Sequence, residues 1–302
     1  MSRKLVLLFL IVLMALPIAG FAAPKGIVIG LTLPSVQYPF FVTMKDDFDQ
    51  LAAKLGVTVV YIDAQNNSAN QVAAIETFVS MKVNGILISP MTVDSQVPAI
   101  EAAVKAGIPV ATVDRKANTN KVLVHVGADN VEGGRAAARY IVDKLGGNGT
   151  IIELEGTPGA SPAIDRKKGF DEVIAQNPGM KILVSQTANF DRATAHSVME
   201  NLMQANPNFD AVFGANDEMI IGAIEAMSAA GIDPSTKVTA GYDATVDAFS
   251  YIRKGQLGAT IDQFPGKQAS KALGYLVDYI KTKKMPPMKV EYLQPQADTS
   301  AP

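Results

Sequence analysis

The chain has 302 residues, 48% of them hydrophobic, with 27 basic against 29 acidic side chains and neither cysteine nor tryptophan. That is enough apolar material for one large domain or two ordinary ones. A mildly acidic chain without basic runs is a poor match to nucleic acid, and the lack of cysteine excludes disulfides and thiol chemistry.

Arg3 and Lys4 precede an unbroken apolar run, Leu5 to Leu16, followed by Pro17 and the small-residue stretch Ala19-Gly20-Phe21-Ala22-Ala23. This pattern predicts a secretory signal peptide over residues 1–22, cut after Ala22. The apolar run of 12 residues is short of the roughly 20 that span a bilayer. No cysteine follows it to carry a lipid, so a free protein of the bacterial periplasm is expected. Without this segment the balance is 27 − 2 = 25 basic against 29 acidic residues, a net charge of −4.

From Gly26 onward, Val/Ile-rich runs alternate with helical stretches. The predicted strands are Ile27 to Leu33, Val57 to Ile62, Gly85 to Ile88, Ile108 to Val113, Val122 to Val126, Thr150 to Leu154, Lys181 to Ser185, Ala211 to Gly214, Val238 to Tyr242 and Gly258 to Ile261. Nearly continuous apolar strands interleaved with helices indicate an α/β fold with parallel sheets covered on both faces. Between them run helical stripes such as Met44, Phe48, Leu51, Ala52 and Leu55.

The order of features repeats. Gly26 to Gly85 spans 59 positions and Gly149 to Asp210 spans 61, with matching strand and helix order in each. Two doubly wound lobes joined by a multi-strand hinge are therefore expected. The first would comprise residues 23–128 and 264–292, the second 129–263 and 293–302. The final stretch "YLQPQADTSAP" carries no evident closing-strand pattern.

Open parallel sheets bind ligands beyond the carboxyl ends of their strands. The residues there are Tyr38, Phe40 and Phe41; Ser89; Asp114 and Arg115; then Arg166, Phe190, Asn216, Asp243 and Gln263. Aromatic rings, carboxylates, guanidiniums and amides together suit a sugar, whose two C–H faces are edged by hydroxyls that both donate and accept. Blander roles compete: a phenylalanine finishing the core, Asp114 and Arg115 as a surface pair, and Asp243, Asn216 or Asp217 as helix caps. The two histidines, His125 in a strand and His196 in a helix, read as structural. No paired-histidine motif, no GxGxxG after the first strand of either half, no phosphate loop and no Gly-x-Ser-x-Gly elbow is present, so no metal, cofactor or catalytic residue is assigned. Facing carboxylates leave glycoside hydrolysis as an unfavoured alternative.

The segments "PFFVTMKDDFDQLAAKLG", "DAQNN", "GILISP", "AGIPVATVDR", "GADNVEGGRAAARYI", "ANFDRATA", "FGANDEMIIGAIEA", "GYDAT" and "GQLGATIDQFP" resemble periplasmic ribose-binding proteins in content and order. That family of sugar-binding proteins feeds ABC transporters and shares its fold with lactose-repressor-type regulators. The resemblance runs from about Gly26 to Phe264 and implies a type I periplasmic binding protein that closes by hinge bending on a monosaccharide. It implies that Phe40, Phe41 and Phe190 pack on the sugar, that Asp114 and Arg115 bind its hydroxyls, and that Arg166, Asn216, Asp243 and Gln263 are the remaining polar ligands. Two positions depart from the family: Tyr38 and Ser89 stand where ribose binders usually carry asparagine. Ribose, another pentose, a hexose or a furanose all stay open. The implied partners are a membrane permease and, as an alternative, a chemotaxis receptor, with the protein itself a monomer. A regulator would need a helix-turn-helix before residue 30, where the signal peptide stands.

Overall fold

The computed structural model describes residues 26–300; the predicted signal peptide lies outside the described residues. In chain order the elements are β1 (Val28–Leu33), α1 (Pro39–Leu55), β2 (Thr58–Asp63), α2 (Ser68–Ser80), β3 (Gly85–Ile88), α3 (Val97–Lys105), β4 (Val110–Val113), β5 (Val124–Ala128) and α4 (Asn130–Lys144). They continue with β6 (Gly149–Glu155), α5 (Ser161–Ala175), β7 (Met180–Thr187), α6 (Arg192–Ala205), β8 (Ala211–Gly214), α7 (Asp217–Ala229), β9 (Val238–Ala240) and α8 (Val246–Arg253). The last are β10 (Thr260–Asp262), α9 (Pro265–Thr282), β11 (Val290–Leu293) and β12 (Gln296–Asp298).

The first sheet has the order β2-β1-β3-β4-β5-β11, all parallel. The second runs β7-β6-β8-β9, also parallel; a bridge from Ala240 to Ala259 leads on to the antiparallel pair β10-β12. Both begin with the same winding, in which each half's first strand sits between its second and third. Each sheet is therefore a doubly wound lobe, as the repeated sequence order predicts.

Helices α1 and α9 pack on one face of the first sheet through Met44, Phe48, Ala272, Leu273 and Leu276, and the other face takes Ala74, Ile75, Phe78 and Ile100 of α2 and α3. Burying each Leu or Ile of these sets contributes ~1.5–3 kcal/mol. The second lobe has its own core, centred on the stacked rings of Phe170 and Phe213, 4.3 Å apart.

The chain passes between the sheets three times: from β5 into α4, from β10 into α9, and from β11 to β12. The tail thus holds a strand that its sequence does not announce. Residues after Leu293 contribute β12, whose alternating polar composition hides it; it is specified by pairing with β10 (Thr260↔Asp298, Asp262↔Gln296) rather than by its own burial. Two predicted strands are also trimmed for local reasons. β4 starts at Val110, after Pro109, which cannot donate to a ladder, and β9 ends at Ala240 because Gly241 to Asp243 turn out of the sheet.

Candidate functional site

The carboxyl ends of both sheets face each other. Between them lies a small cavity lined by Tyr38, Phe40, Phe41, Asp114, Arg115, Pro162, Arg166, Phe190, Asn216, Asp243 and Gln263. Ten of the eleven residues expected from sequence therefore converge on one space. Ser89 does not: it is fully buried behind the site, and its hydroxyl lies 3.1 Å from Asp114 Oδ2. Its place at the end of β3 is right, but a side chain this short supports Asp114 instead of reaching the cavity.

The first lobe supplies the aromatic wall. Pro39 opens α1 with its fixed φ, and the next two residues, Phe40 and Phe41, lie 5.1 Å apart edge to face. Both are buried, both belong to the core around α9, and both line the cavity, so each ring serves core and site together. Tyr38 at the cavity mouth accepts a hydrogen bond from Asn66 Nδ2 at 2.7 Å, which leaves its own proton to donate. Burial raises its pKa, keeping the phenol neutral.

Asp114 and Arg115 are not a surface pair, being 3% and 4% exposed. Arg115 Nη1 donates to the carbonyl of Met91 at 3.1 Å, while Nε, 3.8 Å from Asp114 Oδ2, is too far to hydrogen-bond it and has no partner among the described residues. The guanidinium carbon lies 5.6 Å from the Phe41 ring and 5.5 Å from the Phe190 ring, bridging the aromatic groups of the two lobes. Burial pushes the Asp114 carboxyl above its ordinary range and the Arg115 guanidinium below its own, each opposed by the charge of the other.

The second lobe supplies most of the polar wall. Arg166, on the first turns of α5, donates from Nε to Asn130 Oδ1 at 2.8 Å and from Nη1 to the Ala215 carbonyl at 2.7 Å. Its guanidinium lies 3.6 Å over the ring of Tyr242. Thus three groups fix its plane, and Asp243 Oδ1 stands 3.7 Å from Nη1. Asp243 is not the cap of α8, a role taken by Thr245, whose side chain accepts from Ala248 N. Instead its carboxylate takes a hydrogen bond from Gln263 Nε2 and faces the cavity. Burial raises its pKa well above the ordinary value, against the pull of Arg166. Asn216 does both jobs weighed for it: its oxygen caps α7 by accepting from Met219 N, its amide donates to the Phe190 carbonyl, and it lines the cavity.

Three residues that line the cavity, Asp114, Phe190 and Asp243, have φ of 61°, 63° and 118°. Such conformations cost of order 1–3 kcal/mol each, and here they turn side chains off the strand ends into the cleft. Gly156 makes room for one of them, since a Cβ there would fall 2.1 Å from Phe190 Cζ.

The charges inside balance, with two carboxylates and two guanidiniums. The chemistry therefore suits a neutral ligand rich in hydroxyls. His125 and His196 stand apart: His125 is buried with Nδ1 3.0 Å from Thr112 Oγ1, and burial lowers its pKa to about 3, while His196 lies on α6 3.7 Å from Glu200. A larger open groove beside His125 has its lysines committed, Lys116 to Asp165 and Lys289 to the Val122 carbonyl.

Residues 29–284 match the family model for the periplasmic binding protein domain. The chain belongs to the periplasmic binding protein family. This periplasmic binding protein is 39% identical over 272 residues to the ribose import binding protein RbsB of Bacillus subtilis, covering 88% of each chain. Among solved structures, a Caulobacter myo-inositol binding protein bound to myo-inositol superposes with a TM-score of 0.87 at 33% identity, over 93% of this chain and 96% of that one. A galactofuranose binding protein also gives 0.87, at 31% identity, over 90% and 94%.

Sequence reasoning missed the residues that hold the periplasmic binding protein's cavity-facing groups in place. Asn130 comes two residues after β5, as Asn216 does after β8, so the same rule would have found it. Tyr242 gives no such signal, because an aromatic at a strand end reads as core. Pro162 lines the cavity only because α5 starts there.

Proposed function

We propose that this protein is the solute-binding component of an ABC importer and that it holds one monosaccharide between its lobes. The observation that carries this reading is the convergence of three phenylalanine rings and a charge-balanced set of buried polar groups on one cavity, supplied by both lobes. Phe40, Phe41 and Phe190 cover the C–H faces of the ring, Asp114 and Asp243 accept from hydroxyls, and Arg115, Arg166, Asn216 and Gln263 donate. Hydrogen bonds to charged groups are worth about 1.5–3 kcal/mol each, and closure adds them only when both lobes engage.

The named relatives bind ribose, myo-inositol and galactofuranose, which makes a pentose, a furanose or a cyclic polyol the class to test. Tyr38 at the mouth and Ser89 behind Asp114 are the two departures that set the choice among them. The lobes are residues 23–128 with 264–292 and residues 129–263 with 293–302. Residues 1–22 direct export to the periplasm, and the closed monomer is the form a membrane permease receives. The protein releases its sugar chemically unchanged.

A thermal-shift screen of pentoses, hexoses and cyclic polyols tests the proposal. A rise of several degrees with at least one sugar is expected, because ligand bound only to the folded state stabilises it. No shift with any of them would overturn the reading.

A further inference from the structure

One buried carboxylate beside the site is used by none of the ligand-facing roles above. Asp217, at the start of α7, is fully buried and does not line the cavity. Its Oδ2 accepts from Thr245 N at 2.8 Å and from Thr245 Oγ1 at 3.1 Å, and its Oδ1 accepts from Thr260 Oγ1 at 2.7 Å. Its own backbone N–H donates to the Tyr242 carbonyl at 2.7 Å. Thr260 Oγ1 in turn accepts from Ala244 N at 3.0 Å. Tyr242 and Ala244, on either side of Asp243, are thereby tied to one residue, the first through its backbone N–H and the second through Thr260 and its carboxyl group.

Those ties meet where the backbone needs them. Asp243 and Ala244 have φ of 118° and 53°, conformations that L side chains rarely adopt. Gly241 makes the space, since a Cβ there would fall 2.4 Å from Asp217 Oδ1. Thr260 lies in β10, three residues before Gln263, which hydrogen-bonds Asp243. A single carboxylate thus spans the start of α7, the β9–α8 turn and β10. Thr245 N and the hydroxyls of Thr245 and Thr260 all donate to it, which a carboxylate satisfies at once; an amide of the same shape that keeps its oxygen on Thr245 would turn its NH2 toward the Thr260 hydroxyl and lose that donation.

We infer that Asp217 is a positioning residue that sets the aim of Asp243 and Gln263, and with it the affinity for the sugar. This rests on the sugar-binding reading, and the experiment separates the two.

Titration calorimetry of the wild type, Asp217→Asn, Asp243→Asn and the double variant with D-ribose, D-allose and myo-inositol reads the effect. Asp217→Asn is expected to weaken binding by about tenfold or more. In the double variant it should add less than about twofold to the loss from Asp243→Asn alone, the non-additivity of residues acting through one another. Combined with Arg115→Lys, on the other lobe, it should multiply in full. Hydrogen exchange of the sugar-free proteins supplies the second readout: Asp217→Asn should deprotect the Thr245 amide while β8 stays protected. Thr260→Val, which removes one of the three bonds, should move both readouts the same way by less, and it carries the test if Asp217→Asn does not fold. Full multiplicativity with Asp243→Asn, or an unchanged Thr245 amide, overturns the inference whatever sugar binds. Failure of the wild type to bind any sugar overturns the functional reading instead, and with it the link to affinity.

Discussion

Asp114 is 3% exposed and touches a serine hydroxyl on one side and a guanidinium on the other, with its remaining capacity turned to the cavity. Asp114→Ala removes the acceptor and leaves Arg115 buried with no charge partner beside it. We expect its sugar affinity to fall about 10- to 100-fold, the size of one or two charge-assisted hydrogen bonds, measured by titration calorimetry. Unchanged affinity would remove Asp114 from the site. At this scale the sequence was readable wherever a side chain came within two residues of a strand end, as Asp114 does after β4 and Asn216 after β8. It was misleading at Ser89, where position says site and length says support. It was silent on Tyr242, whose ring works beneath Arg166 while its hydroxyl, facing Gly133, finds no partner among the described residues.

The pair α4 and α5 shows how elements aim residues. A Cβ on Gly134 would fall 2.1 Å from the Arg166 carbonyl oxygen, and one on Gly169 would fall 1.9 Å from that of Val131. Backbone therefore meets backbone, and this close approach sets Arg166 against Asn130 and Tyr242. Gly134→Ala must push the helices apart, at a cost of about 1–3 kcal/mol for overpacking. We expect a melting temperature lower by several degrees together with weaker sugar binding, read by calorimetry on one preparation; a lower melting temperature with full affinity would separate packing from aim. Elements themselves were legible because strands buried on both faces announce themselves by composition. β12 was not, since its identity is conferred by β10. The glycines of α4 were visible in the sequence, but which helix they admit is a property of the packing.

At the scale of the whole molecule, the lobes also meet outside the cavity. Val93 N donates to the Gly159 carbonyl at 2.9 Å, Lys116 N to Ser161 Oγ at 2.8 Å, and Lys116 Nζ pairs with Asp165 Oδ2 at 2.7 Å. These contacts exist only when the lobes are together, so they weight the closed state without touching a ligand. Replacing Lys116 with Met should lower the affinity for every sugar by one common factor, no more than about fivefold for a half-exposed ion pair, and leave the order of preference intact. A changed order would place Lys116 in the site. The three crossings between the sheets have a consequence for how the chain becomes a protein at all. The second sheet, β6 to β9, is made from one uninterrupted stretch, whereas the first waits for α9 and β11. As the polypeptide emerges from its N-terminus, Leu31, Leu87 and Val113 stay without α9, which shares their face with α1, until the other lobe's sheet has been made. The half that appears first therefore waits for the other half's sheet, and it travels the intervening time with an apolar face that must be kept from neighbours.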